Sequence, residues 1–128
     1  MMSEKKNVMY VDKDHVIDER GFYYTRVYNI AIEDQKLDAK ALCVYVALSK
    51  CADTKTGECF PSLTTLAKLS RHSKSSVKRA LETLQSRGYI EITQRQTRDG
   101  EFQSNYYHLK DLEYIKQFQA QIDEVGSQ

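Results

Sequence analysis

Lys74, Ser75, Lys78 and Arg79 lie close together in the stretch Ser73–Gly88, SKSSVKRALETLQSRG. Ammonium and guanidinium groups can satisfy phosphate oxygens, and arginine or lysine can also satisfy the paired acceptors on the major-groove edge of guanine. For these donors to act together they must share one side of a rigid element, and the spacing predicts a helix. Ser73 can cap the free N–H groups of the first turn, and Gly88 can take the left-handed conformation that closes the last. Val77, Ala80, Leu81 and Leu84 recur at intervals of three and four and form the face to be buried. Lys74, Ser75, Lys78, Arg79 and Glu82 fall largely on the other side. Alone, this pattern equally suits a solvated surface helix, so the flanking elements decide.

Upstream, Asp38 is an N-cap for a largely buried helix over 39–52 that carries Leu42, Cys43, Tyr45, Val46 and Leu48. Asp53–Glu58 reads as a turn. Pro61 and Ser62 begin a short helix with Leu63, Leu66, Ala67 and Leu69 on its apolar face. Ser70-Arg71-His72 then separates it from Ser73. A short helix, a three-residue turn and a longer basic helix make a helix-turn-helix.

After Gly88 the period changes to two. Residues 89–94 form one strand, Asp99-Gly100 signals a tight turn, and residues 104–109 form the return strand. The loop of this hairpin would carry Arg95, Gln96, Thr97 and Arg98 as a basic tip. The predicted fold class is therefore α+β, mainly α: a winged helix-turn-helix with a three-helix core and a β-hairpin wing. Residues 8–16 and 22–32 are rich in β-branched and aromatic residues and predict an N-terminal β hairpin or strand. There Tyr23, Tyr24 and Tyr28 read as packing residues rather than as base-stacking platforms. Asp111 caps a last helix from Leu112 to about Val125, with Leu112, Ile115, Phe118 and Ile122 on one side. Gln119 interrupts its heptad, so packing within the chain is favoured over a two-helix seam with a second copy. The expected organisation is an arm or hairpin at 1–26, the winged helix-turn-helix at 27–109 and a C-terminal amphipathic helix at 110–128.

The net charge of +1 hides a strong asymmetry: residues 1–60 carry −1, residues 61–98 carry +6 and residues 99–128 carry −4. Positive charge concentrated on the predicted reading helix and wing is the footprint expected for a polyanion partner. With 41% hydrophobic and 29% charged residues the chain has ordinary globular composition, which argues against disorder throughout. It has no run long enough for a membrane span, and the opening MMSEKKNV has no apolar signal core, so a cytoplasmic location is expected. Cys43, Cys51 and Cys59 form no C-x-x-C pair, and His15, His72 and His108 are scattered, so neither a metal nor any other cofactor is expected. No Gly-rich phosphate loop or recognisable nucleophile setting is present, and the chain is not expected to be an enzyme.

Leu37-Asp38-Ala39-Lys40-Ala41, Gly57-Glu58-Cys59-Phe60-Pro61-Ser62, Leu66-Ala67, Ser73, Val77, Leu81, Leu84, Gly88-Tyr89-Ile90 and Ser104-Asn105-Tyr106-Tyr107 together carry a resemblance. Over residues 27–109 the chain resembles the winged helix-turn-helix domains of replication initiators and regulators of phages, plasmids and conjugative elements, especially of Gram-positive bacteria. The Phe-Pro-Ser and Ser-Asn-x-Tyr motifs are its more specific parts. The resemblance implies major-groove reading by the helix over 73–87, with Lys74, Ser75, Lys78 and Arg79 at base edges. Arg71, His72, Ser73, Arg95, Gln96 and Arg98 are the candidates for phosphate or wing contacts, the wing spanning 95–102. Arg71 and His72 stand where the family usually has a glycine and an apolar residue, offering phosphate an extra cation. The family often continues into a replication or helicase-loading domain, for which these 128 residues leave no room. The expected function is thus a sequence-specific double-stranded DNA-binding protein, a small transcriptional regulator or accessory factor of a mobile element. The alternatives are a replication-initiator-type protein and, in another class, a winged-helix protein-interaction module. A homodimer could form through the C-terminal helix or the N-terminal hairpin.

Overall fold

A computed structural model of the protein describes residues 24–126. The chain runs α1 (Asn29–Glu33), α2 (Ala39–Cys51), β1 (Glu58–Cys59), α3 (Leu63–Ser70), α4 (Lys74–Ser86), β2 (Ile90–Gln96), β3 (Phe102–Leu109) and α5 (Leu112–Gly126). The strands form one antiparallel sheet in the order β1-β3-β2. Helices α2, α3 and α4 pack on one another, and the β2–β3 hairpin follows α4 directly. This is the winged helix-turn-helix expected from the sequence.

Each of the longer helices starts where a side chain can accept a first-turn N–H. The Asp38 carboxylate accepts from Ala41 N at 2.8 Å, Ser62 Oγ from Thr65 N at 3.1 Å, Ser73 Oγ from Ser76 N at 3.2 Å and Asp111 Oδ1 from Tyr114 N at 2.9 Å. Caps of this kind contribute about 1 kcal/mol each. They fix the helix starts, and burial supplies most of the rest. Val44, Leu48, Leu66, Val77, Leu84 and Ile115 are fully enclosed, each contributing about 1.5–3 kcal/mol. Tyr45 of α2 meets Tyr89 at 5.2 Å between ring centroids, which joins the helices to the base of the wing.

Three expectations are corrected. Of the strand predicted within 22–32, the described part is irregular from Tyr24 to Tyr28 and helical from Asn29, with Ala31 buried, Ile32 59% exposed and Tyr24 and Tyr28 on the surface. Its β-branched and aromatic residues express a preference that needs a neighbouring strand to satisfy, and none of the described strands pairs with this segment. The rest of the predicted hairpin, including Tyr23, lies outside the described residues. Residues 58–59, read as part of a turn and its exit, form β1, whose Cys59 pairs with Tyr107. Leu69 and Val46, expected on buried faces, are 38% and 41% exposed.

The last helix packs within the chain. Ile115 is buried, and Gln119, the residue that breaks its heptad, is buried too, donating to the Arg87 carbonyl at 3.1 Å. Gly88, at φ +85°, lets the backbone turn under this helix: a Cβ there would sit 2.5 Å from the Phe118 ring. Among the described residues no helix is long and apolar enough to cross a membrane.

Candidate nucleic-acid interface

Helix α4 divides as its period requires. Val77, Ala80, Leu81 and Leu84 are buried. Lys74, Ser75, Lys78, Arg79 and Glu82 are exposed on the outer side, so the structure brings all four predicted base-reading residues to one surface. Lys74, Lys78 and Arg79 form no ion pair with any described residue, whereas Ser75 Oγ lies 3.4 Å from Ser73 Oγ. Arg79 lines a cleft between α4 and the start of α2 with Asp38, Lys40, Ser76 and Thr83, and Lys78, about 100° further round α4, is outside that cleft. Lys40 thereby joins the cationic surface from a part of the chain that the sequence reading assigned to the core.

The turn before α4 is tight. Arg71 occupies the left-handed region at φ 63°, the one described non-glycine residue with positive φ, and its side chain is exposed. The backbone thus does what a glycine would do while keeping a cation at the surface. His72 is half-buried, with Nδ1 2.7 Å from the Ser70 carbonyl oxygen, an arrangement that suits a proton on Nδ1 and fixes the ring in the turn. Ser73 Oγ is engaged in capping, so its part at a phosphate falls to the helix end it stabilises.

The wing is shorter at its tip than the sequence suggests. Arg95 and Gln96 lie in β2, and the tip is the turn Thr97–Gly100, closed by Gly100 N–H donating to Thr97 O at 3.0 Å with Gly100 at φ +90°. Among the expected wing cations only Arg98 is on this tip, and it is exposed. Arg95 is half-buried: its Nε donates to the Ser104 carbonyl at 2.7 Å, and its guanidinium carbon lies 4.8 Å from the centroid of the Phe60 ring. Gln96 Nε2 donates to the Gly100 carbonyl at 3.3 Å.

Arg87 belongs to the basic stretch yet turns inward. Its Nε and one terminal nitrogen donate to the two oxygens of Asp34 at 3.0 and 3.2 Å, and the other terminal nitrogen donates to Asp123 at 3.0 Å. Tyr89 Oη and Gln119 Nε2 donate to the same Asp34 oxygen at 2.9 and 3.3 Å. Burial pushes the Asp34 carboxyl up, but the hydrogen bonds from Arg87, the Lys36 backbone and Tyr89 outweigh it and hold the group below the usual carboxylate range. Burial and the adjacent Asp34 charge push the Tyr89 phenol up to about 12, although Gln119 opposes the shift. This network ties the end of α4 to α5 and to the loop after α1. It removes one cation from the surface tally. A signal for this was present: Arg87 follows Ala80 by seven residues and Leu84 by three, so it lies on the buried stripe.

The described residues hold no group of three histidine, cysteine or acidic side chains placed to bind a metal ion. What the surface offers is a convex helix with uncommitted donors beside a narrow two-stranded arm that carries Arg95 and Arg98, a shape that suits a groove with phosphate walls.

Comparison with known proteins agrees with this architecture. No curated protein sequence matches the chain. A solved structure described as a possible transcriptional regulator from Methanosarcina mazei Go1 superposes with a TM-score of 0.50 at 16% identity, covering 77% of this chain and 82% of that one. Residues 35–90, from the approach to α2 through the start of β2, match the family profile described as a helix-turn-helix domain.

Proposed function

We propose that this chain is a sequence-specific double-stranded DNA-binding protein that acts as a small transcriptional regulator. The observation that carries the reading is the division of α4: its apolar stripe is fully buried, and Lys74, Ser75, Lys78 and Arg79 are exposed together on the opposite side. In this reading α4 lies in the major groove with those four residues at base edges. Arg71, His72, the start of α4 at Ser73, Arg95, Gln96 and Arg98 set the register on phosphates. The helix-turn-helix match over residues 35–90 supports DNA as the partner. The motif resemblance to proteins of phages, plasmids and conjugative elements supports a place among regulators or accessory factors of a mobile element. One winged helix covers a short site, so two copies on half-sites about one helical turn apart would supply the specificity of an operator.

The test is selection of bound sites from a random duplex library, followed by binding of Lys78→Ala to the selected site and to a scrambled duplex. A base-reading Lys78 loses about 1–3 kcal/mol on the selected site and much less on the scrambled one. Enrichment of no sequence would overturn the claim of specificity, and equal losses on both duplexes would reassign Lys78 to phosphate.

A further inference from the structure

The wing hairpin is irregular at one place. Thr93 pairs with Tyr106 and Arg95 with Gln103, so Gln94 alone opposes Ser104 and Asn105. Such a bulge locally disrupts the ladder and bends the strand that carries it. Here the Ser104 carbonyl accepts the Arg95 Nε–H at 2.7 Å. The same guanidinium lies over the Phe60 ring, 4.8 Å from its centroid, although Phe60 is 57% exposed and outside the core. Phe60 sits between β1 and Pro61-Ser62, where Ser62 caps α3. One exposed aromatic ring therefore joins the outer end of β2 to the start of the helix-turn-helix through an arginine.

We propose that Phe60 is a positioning residue for DNA binding: its ring and the Ser104 carbonyl fix the Arg95 guanidinium at the junction of wing and α3, where it takes a backbone phosphate. An arginine on a free strand must give up side-chain freedom when it binds. One already held through Nε and through its face keeps its terminal N–H groups in a fixed fork that suits phosphate oxygens. Hydrophobic burial does not explain the ring, which stays largely in water, whereas a stacked cation does. The inference rests on the DNA-binding reading above and deepens it by assigning a role to a residue that touches no base.

The experiment is a double-mutant cycle on the full chain with a duplex carrying the selected site, read as Kd and as the slope of log K against log salt, with thermal melting alongside. Arg95→Ala is expected to lower affinity and to reduce the slope by about 0.9, the value for one phosphate. Phe60→Ala is expected to lower affinity about three- to fivefold, the scale of a half-exposed cation–aromatic contact, and Phe60→Tyr to restore it. In the Arg95→Ala background Phe60→Ala should cost nothing further. An equal loss from Phe60→Ala in both backgrounds would overturn the proposal, as would an Arg95→Ala variant with unchanged affinity and slope. If the wild-type chain binds no duplex, the DNA-binding reading itself fails. If it binds and the cycle closes without coupling, the positioning role alone fails.

Discussion

Replacing Arg87 by methionine keeps much of its aliphatic volume at the end of α4 and removes its charge. The side chain is 10% exposed and meets Asp34, itself 5% exposed, through two hydrogen bonds; Asp123, its other partner, is 46% exposed. The Asp123 contact is screened by solvent and contributes at most about 1 kcal/mol. The Asp34 contact dominates, because its loss leaves a buried carboxylate with only Tyr89 and Gln119 as donors besides the Lys36 backbone. Removing one partner of a buried pair costs about 3–5 kcal/mol, or roughly 10–20 °C in Tm for a chain of this size. In the wild type the Asp34 pKa lies below its unfolded value, so its stabilisation is present above that value and is lost as pH falls through the folded pKa. In Arg87→Met the folded pKa rises instead, so the penalty is full at pH 7 and fades as acid protonates Asp34. Urea unfolding at several pH values should therefore show the gap between the two proteins narrowing from pH 7 toward pH 4. DNA affinity and its salt slope, measured cold where both are folded, should be unchanged. A loss below about 1 kcal/mol, a gap independent of pH, or a salt slope reduced by one phosphate would refute the assignment of Arg87 to the interior.

Other consequences follow from local geometry. Gly88→Ala places a Cβ 2.5 Å from the Phe118 ring at φ +85°, and should cost about 2–4 kcal/mol in urea unfolding by forcing α5 away from the base of the wing. Arg71→Gly relieves the left-handed backbone at φ 63°; it should raise stability by about 0.5–1 kcal/mol while reducing the DNA salt slope by about 0.9. Burial raises the Cys59 thiol to about 12, so at pH 8 a thiol reagent should leave Cys59 unmodified in the folded chain and label it in denaturant.

The helices were legible because their starts and faces are local. Asp38, Ser62, Ser73 and Asp111 act as the caps their positions suggested, and the stripe Val77, Ala80, Leu81, Leu84 is buried as a unit. The wing was legible through its change of period and its Asp99-Gly100 turn. Features set by distant partners were not. Asp34 carries no local mark of being a hub, since its donors Arg87, Tyr89 and Gln119 stand 53, 55 and 85 residues away. The two-residue β1 exists because β3 lies beside it, and a pair of residues has no period to read. Charge counting overstated the interface for the same reason. Arg87, counted with the basic stretch, is engaged in the interior with Asp34 and Asp123.

Titration of the purified chain into random-sequence duplex at several salt concentrations tests DNA binding most directly. With Arg71, Arg95 and Arg98 as its arginine contacts to phosphate, log K should fall against log salt with a slope of about −3, and the selected site should bind more tightly at every salt. Affinity that is absent, or that does not change with salt, would contradict the assignment of this basic surface to DNA.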